Sequence, residues 1–179
     1  SVSAGWEYPE WFGSNTDGHP GPAGAFERAP AHDVIGVEHS TVREAVGIFD
    51  MSLMAKFDVQ GPDAAAVLSR LSANHVDREV GRVVYTQWLD ANGGIVADLT
   101  ITRTGPERFL VVASDVIERR VEVMIRRETR DGEHAYVTNV TSGTAILSVQ
   151  GPKSRELLSR VTDADLSNES FPYLTAQSI

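Results

Sequence analysis

One carboxylate stands in a pattern that suits chemistry. Apolar and polar side chains alternate over residues 95–102, which is typical of a strand with one buried face, and Asp98 lies on the polar face. Aspartate is unfavourable inside strands, so its presence there needs a reason. If the Asp90–Gly94 turn has an even-length loop, Asp98 shares its face with Tyr85 and Gln87 of the preceding strand. The pattern predicts either a small polar site with an aromatic wall or a solvent-facing aspartate on an open sheet.

Several other kinds of site are excluded or disfavoured. The chain has no cysteine, which excludes disulfides, thiolate metal sites and cysteine nucleophiles. Its five histidines show no metal-ligand spacing, so no metal site is predicted. No glycine-rich phosphate loop follows a strand, which argues against a dinucleotide site within this chain. Sixteen basic against twenty-five acidic residues disfavour nucleic acid as a partner. No apolar run reaches the roughly 20 residues needed to span a bilayer, and we predict a cytoplasmic location without a membrane partner.

The elements that position Asp98 follow from periodicity and turn residues. Asp33 and Asp63 are predicted helix N-caps, and Asp115 and Glu118 have the spacing of a capping box. The predicted helices cover 34–46, 64–71, 115–128 and 154–161, and the predicted strands cover 54–60, 83–89, 95–103, 109–113, 136–140 and 145–150. Hairpins mixed with crossovers predict an α+β fold, a mostly antiparallel sheet with helices on one side.

A repeat divides the chain. Residues 57–71 and 147–161 are identical at seven of fifteen positions without a gap, and each copy reads as a strand, a Gly-Pro turn and a helix. Turn chemistry explains the shared Gly and Pro but not the shared Gln or Ser-Arg, which favours duplicated, ferredoxin-like strand-turn-helix units. We therefore predict an extended N-terminal arm over 1–33, a first unit over 34–146, and the start of a second, truncated unit over 147–179.

The segments 43–52, taken as a helix, 59–64 and 93–99 carry a family resemblance. They are similar to the folate-binding aminomethyltransferases, whose founding member is the T-protein of the glycine cleavage system. The segments 5–12 and 165–171 resemble more particularly the C-terminal folate domain of dimethylglycine and sarcosine dehydrogenases and oxidases. The resemblance covers essentially the whole chain.

The resemblance implies a function and its reactants. In that family a flavin domain oxidises an N-methyl amine, and the folate domain passes the one-carbon unit to tetrahydrofolate. The implied cofactors are tetrahydrofolate, bound with an amine-derived iminium, and FAD in an upstream domain outside this chain. Asp98 matches the family's catalytic aspartate, where a carboxylate orients the amine, takes its proton and stabilises the cationic iminium.

The resemblance also implies the binding residues. Met54, Tyr85 and Val112 match positions that line the pterin or benzoyl pocket. Ser114 stands where the T-protein type commonly has Asn, and Tyr173 stands where the family usually has Phe.

Two other functions fit the same resemblance. A folate-dependent O- or S-demethylase would keep the fold and change the donor. A non-catalytic folate-fold interaction module would keep the fold alone. We also expect the 179-residue chain by itself to bind folate weakly and to be inactive, because half of the family's pocket lies beyond Ile179.

Overall fold

The computed structural model describes residues 2–3, 6–7 and 32–179. The rest of the predicted arm over 1–33 lies outside the described residues. In the described part of the arm, strands β1 (Val2–Ser3) and β2 (Trp6–Glu7) pair antiparallel.

The remaining elements alternate between strands and helices. They are α1 (His32–Glu44), β3 (Gly47–Asp50), β4 (Ala55–Gln60), α2 (Ala64–Leu71), β5 (Val83–Leu89), β6 (Ile95–Gly105), β7 (Arg108–Ala113), α3 (Glu118–Glu128), β8 (Tyr136–Asn139), β9 (Leu147–Gln150) and α4 (Ser154–Leu158). One sheet has five strands in the order β5-β6-β7-β4-β8, and every neighbouring pair is antiparallel. Strands β3 and β9 form a separate two-stranded sheet. The predicted α+β class with a mostly antiparallel sheet is confirmed.

The chain forms two compact units. One joins the described residues up to Phe49 with Val149–Arg160, and the other joins Asp50–Ser148 with Val161–Ile179. The second unit contains the whole five-stranded sheet, with α2 and α3. The domain boundaries expected after residues 33 and 146 remain predictions. No helix in the described part of the chain combines the length and apolarity needed to cross a membrane.

The core lies on one face of the five-stranded sheet. Strand alternation sends every second side chain of β4 to β7 to this face, where α2 and α3 cover them. Its fully buried members include Phe57, Val59, Trp88, Ile101, Phe109 and Val111 from the strands and Val67, Leu68, Val121 and Ile125 from the helices. Burying each such side chain contributes about 1.5–3 kcal/mol. Because both helices lie on the core side, the opposite face of the sheet is left for polar groups, Asp98 among them.

Several local expectations are wrong. Helix α1 begins at His32 and ends at Glu44, so Asp33 lies in its first turn rather than capping it. The segment 43–52 is not one helix, because Gly47 starts β3, whose partner β9 lies about 100 residues away in sequence. Helix α4 ends at Leu158 rather than at residue 161. A short strand with a distant partner carries little local signal, and this is why the sequence did not predict β3.

The cap predictions also change. Asp63 occupies the N-cap position of α2 but makes no capping bond, because its Oδ2 accepts the backbone N–H of His134 at 2.7 Å instead. The Asp115–Glu118 capping box does not form. A 3₁₀ turn over Asp115–Ile117 precedes α3, and Glu118 accepts a hydrogen bond from the side chain of Asn139.

The two repeat copies build the same strand-turn-helix, as β4–α2 and β9–α4. Each contains a glycine with positive φ, 127° at Gly61 and 115° at Gly151. A Cβ on Gly61 would lie 2.0 Å from the carbonyl oxygen of His134. A Cβ on Gly151 would lie 2.5 Å from the carbonyl oxygen of Ala45. The repeat therefore preserves a turn at which another backbone segment packs against a residue without a side chain.

Candidate functional site

The β5–β6 hairpin brings Asp98 and Tyr85 together. Gln87 lies opposite Asp98, and the Tyr85 hydroxyl donates a hydrogen bond to Asp98 Oδ2 at 2.7 Å. The connecting loop has five residues, an odd number, so the even-length condition is not met as stated. A bulge at Val96 adds one residue on β6 and restores the shared face. The predicted aspartate-tyrosine pair therefore exists. The two residues share a face because of the bulge, and not because the loop has an even number of residues.

The pair leaves one carboxylate oxygen available. Asp98 Oδ2 is held by Tyr85, whereas Oδ1 has no hydrogen-bond partner among residues 32–179. The hydrogen bond to the Asp98 carboxylate raises the pKa of Tyr85, while a hydrogen bond with the Gln87 side chain acts in the opposite direction. The phenol therefore stays protonated and acts as a donor at neutral pH. The arrangement can fix a carboxylate and present its second oxygen to a basic group.

Three further predicted residues lie in or directly beside the strands near Asp98. Ala113 of β7 is opposite both Ala55 of β4 and Leu99 of β6. The residues adjacent in sequence to these three are Met54, Ser114 and Asp98. Met54 and Ser114 therefore lie just outside the ends of β4 and β7, whereas Asp98 lies within β6. The Ser114 hydroxyl donates to Asp115 Oδ1 at 3.2 Å.

Val112 lies in the next row. It is opposite Thr100, which in turn is opposite Tyr85, and on its other side it is opposite Lys56. Lys56 is fully buried and its Nζ donates to the carbonyl of Ser52 at 2.8 Å. Sequence analysis missed this lysine, since nothing in the pattern of β4 distinguishes it from a solvent-facing side chain. Val112 is half-buried and supplies the apolar part of the row.

Tyr173 reaches the site from the end of the chain. The carbonyl of Leu174 accepts the N–H of Val83 at 2.9 Å, and Ala176 donates to Gly81 at 2.7 Å, so this segment pairs with the start of β5. Tyr173 and Tyr85 thereby line the same cavity, which has a volume of about 380 Å³. Both tyrosines are largely exposed, at 88% and 51%.

A loop over residues 72–82 forms the other wall of this cavity. Asn74 ties it to β5, donating from its backbone to the buried Thr86 hydroxyl at 3.1 Å and from its side chain to the Tyr85 carbonyl at 3.0 Å. Arg103 donates to the Arg78 carbonyl at 2.7 Å and holds the loop from the other side. The loop places Arg78 and Arg82 in the cavity wall.

The structure therefore joins Asp98 to Tyr85 by a hydrogen bond, places Val112 on the same face of the sheet, and brings Tyr173 to a cavity that Tyr85 also lines. Met54 and Ser114 lie just outside the ends of β4 and β7. Their roles in binding and catalysis remain predictions. The loop residues Asn74, Arg78 and Arg82 were not predicted, because an irregular loop has no periodicity from which its orientation follows. Across residues 32–179, no group of three or more His, Asp or Glu side chains is placed to hold a metal ion.

The model of the GCVT N-terminal domain matches residues 1–179, which is the whole chain. The chain belongs to this family. It is 38% identical over 173 residues to a 4-methylaminobutanoate oxidase (formaldehyde-forming) from Paenarthrobacter nicotinovorans, covering 94% of this chain and 20% of that protein. It is also 31% identical over 179 residues to mitochondrial dimethylglycine dehydrogenase of Mus musculus, and this match covers 98% of this chain and 20% of that protein. The chain thus spans about a fifth of the length of these relatives.

Shorter family members also match, and the chain covers just over a third of each. An aminomethyltransferase from Bacteroides thetaiotaomicron is 40% identical over 140 residues, covering 77% of this chain and 37% of that protein. The crystal structure of the glycine cleavage system aminomethyltransferase T from Bartonella henselae superposes with a TM-score of 0.67 at 26% identity. The superposition covers 78% of this chain and 37% of the aminomethyltransferase T chain. The expected relationship to the aminomethyltransferases and to amine dehydrogenases and oxidases is confirmed.

Proposed function

We propose that this GCVT domain is the folate-binding, one-carbon-transfer module of a larger flavin-linked N-methylamine oxidoreductase. It would pass a methylene group from an amine of the dimethylglycine or sarcosine type to tetrahydrofolate. The observation that carries the proposal is the Asp98 carboxylate on the polar face of the sheet, held by Tyr85 through Oδ2 and without a partner at Oδ1 among the described residues.

The residues present fit a reduced folate. Such a ligand carries N–H donors on a flat heteroaromatic ring, and a carboxylate oxygen without a partner accepts from such a donor. Tyr85 offers aromatic surface beside it, and Tyr173 lines the cavity next to Tyr85. Val112 offers apolar surface on the same face, and Met54 offers it just before β4. Ser114 supplies a hydroxyl directly after the end of β7. We propose that these five residues hold the ring system.

Asp98 would act on the reacting nitrogen. Its Oδ1 would accept the proton that the folate amine releases as this nitrogen bonds to the iminium carbon, and its negative charge would stabilise the cationic, amine-derived iminium. The bond from that carbon to the donor amine would break as a second folate nitrogen replaces it, and the donor amine would leave with the proton. Tyr85 positions the carboxylate through Oδ2 and remains a protonated donor. Tetrahydrofolate supplies the nucleophilic amine when bound.

The partners belong to the same proposal. The relatives named as oxidase and dehydrogenase are about five times as long as their matched portion. We propose that FAD lies in an upstream domain, where the amine is oxidised, and that the complete protein works in the cytoplasm. A reconstituted complete protein that oxidises the amine but forms no methylene-folate when tetrahydrofolate is supplied would contradict the transfer step.

Asp98→Asn in the complete protein tests the site. This variant keeps the shape and removes the charge and the basic oxygen, so methylene-folate formation should fall about 10²- to 10⁴-fold, the range of a lost general base. Tyr85→Phe is the matched control, because it removes only the positioning hydrogen bond, and it should lose less. Flavin reduction by the amine should stay normal in both. An Asp98→Asn variant that transfers at the normal rate would refute the assignment.

A second function has one specific observation behind it. The relative from Paenarthrobacter nicotinovorans is named as formaldehyde-forming, which describes release of the one-carbon unit. If this protein behaves likewise, formaldehyde appears at the same rate with and without tetrahydrofolate. A folate-dependent O- or S-demethylase would instead yield methyl-folate, and a non-catalytic interaction module would yield neither folate product.

A further inference from the structure

Lys56 is a fully buried charged residue on the face of the sheet that carries Asp98. Among residues 32–179 no carboxylate lies within ion-pairing distance of its Nζ, and its one side-chain hydrogen bond goes to the Ser52 carbonyl at 2.8 Å. The exposed Asp50 carboxylate attracts it only from farther away. An ammonium buried without an ion pair is costly. A lysine at this position therefore needs a reason beyond packing.

The Ser52 carbonyl belongs to the turn that leads into β4. In this turn the Met54 N–H donates to the Met51 carbonyl at 3.0 Å, and the Ser52 hydroxyl accepts the Ile146 N–H at 3.1 Å. Within the described part of the chain, Lys56 is the sole donor to the Ser52 carbonyl. Removing the ammonium would leave that buried contact unmade and release the turn on the side of the sheet.

The backbone of Lys56 gives its side chain a fixed origin. The Lys56 N–H donates to the Thr141 hydroxyl at 3.0 Å, and its carbonyl accepts the Val140 N–H at 2.9 Å. Strand β4 is also paired on both sides, with β7 and with β8. The ammonium thus connects a rigid central strand to an irregular turn. A side chain anchored in this way can hold a neighbouring residue in one position.

The turn lies at the end of the sheet that carries Asp98. Ala55, the first residue of β4, is opposite Ala113, and Ala113 is opposite Leu99, the residue after Asp98. Two strand spacings, about 10 Å, separate β4 from β6. An elongated ligand that meets Asp98 can therefore extend across this end of the sheet to Met54, which precedes Ala55.

We propose that Lys56 is a positioning residue of the folate site. Its buried ammonium holds the Ser52 carbonyl and thereby fixes the turn that places Met54 against the bound folate. This inference rests on the proposed function and deepens it, because it assigns the position of Met54 to a residue that the ligand does not touch. Lys56 sets how tightly folate binds and has no part in proton transfer at Asp98.

Lys56→Met in the complete protein removes the ammonium and keeps an unbranched side chain. Tetrahydrofolate binding, measured by calorimetry, should weaken about tenfold, since the turn loses a hydrogen bond from a charged donor. Methylene-folate formation at saturating tetrahydrofolate should keep its rate, so that KM rises and kcat does not. Lys153→Met is the matched control, because it makes the same change at an exposed lysine, and it should leave both quantities unchanged.

A double-mutant cycle shows whether Lys56 acts through Met54. Met54→Ala alone should also weaken tetrahydrofolate binding, and adding Lys56→Met to it should weaken binding no further, because the turn then has no long side chain to place. A general loss of stability would instead add to the effect of Met54→Ala. If Lys56→Met does not fold, Ser52→Ala takes its place. It removes the bond to the Ile146 N–H, loosens the same turn, and should weaken binding only when Met54 is present.

The outcomes separate this inference from the proposed function. If Lys56→Met, or Ser52→Ala in its place, binds tetrahydrofolate as the wild type does, or has the same effect with and without Met54, the positioning role is refuted while the function proposed for Asp98 is untouched. If kcat falls and KM does not change, Lys56 takes part in the chemical step and the inference is overturned. If the wild type does not bind tetrahydrofolate, the proposed function falls and the inference falls with it.

Discussion

The turn between β4 and α2 should not tolerate a side chain at Gly61. Its φ of 127° is a conformation that residues with a Cβ rarely adopt, and a Cβ there would lie 2.0 Å from the oxygen and 2.9 Å from the carbon of the His134 carbonyl. Carbon and oxygen need more than about 3 Å, so the His134 peptide must move by about 1 Å. Two hydrogen bonds hold the backbone of His134: the Asp63 N–H donates to the His134 carbonyl at 3.3 Å, and the His134 N–H donates to Asp63 Oδ2 at 2.7 Å.

The expected cost of Gly61→Ala follows from these contacts. The backbone conformation costs about 1–3 kcal/mol for a residue with a Cβ. Each disturbed hydrogen bond adds about 1 kcal/mol. We therefore expect the free energy of unfolding to fall by about 3–5 kcal/mol, which lowers the Tm of a protein of this size by about 10 °C.

Gly93→Ala is the matched control. Gly93 also has a positive φ, 82°, but a Cβ there would have no neighbouring atom of the described residues within 4 Å, apart from the adjacent residues. Gly93→Ala should therefore lose only the free energy that the backbone conformation costs. Thermal unfolding followed by circular dichroism compares the two. If both substitutions lower the Tm equally, the close approach of His134 is not the reason for the glycine. If Gly61→Ala leaves the Tm unchanged, the account of the repeat is refuted as well.

Two titrations test the electrostatics. Asp98→Asn should lower the pKa of Tyr85 toward its ordinary value, because the hydrogen bond to the carboxylate is the main cause of the raised pKa. Ultraviolet absorbance of tyrosinate, with Tyr85→Phe subtracted, measures this, and an unchanged titration would contradict the pairing. The Arg70 side chain holds the pKa of Glu133 below 4.5, so this stabilisation is present above about pH 4.5 and is lost as the pH falls through the folded-state pKa. Arg70→Met should flatten the dependence of Tm on pH in that acidic window, whereas an identical dependence would show that the pair has no such effect.

The strands and α2 were largely readable from the sequence because their signals are local. Alternation over residues 95–102 reports which side chains face the core, whatever the rest of the fold does. The same holds for 83–89, and a tight turn forces the two strands to be neighbours. The Tyr85–Asp98 pair followed from these facts, although the loop has odd length and the Val96 bulge supplies the missing residue.

Features with distant partners were not readable in this way. Strand β3 is short and pairs with β9, and Asp63 bonds to His134 instead of capping α2. In both cases a contact far along the chain overrides the local preference, and one sequence carries no signal for that choice.

The sequence by itself determined the fold class, the polar face and the aspartate on it, because strand periodicity and turn chemistry act over a few residues. Family resemblance added Met54, Val112, Ser114 and Tyr173 as candidates. Only the tertiary structure decided that the segment after Phe171 pairs with the start of β5, and that the loop over 72–82 brings Arg78 and Arg82 to the same cavity. The physical reason is that backbone hydrogen bonds between distant, irregular segments place these side chains, and such bonds depend on the folded arrangement rather than on any local pattern.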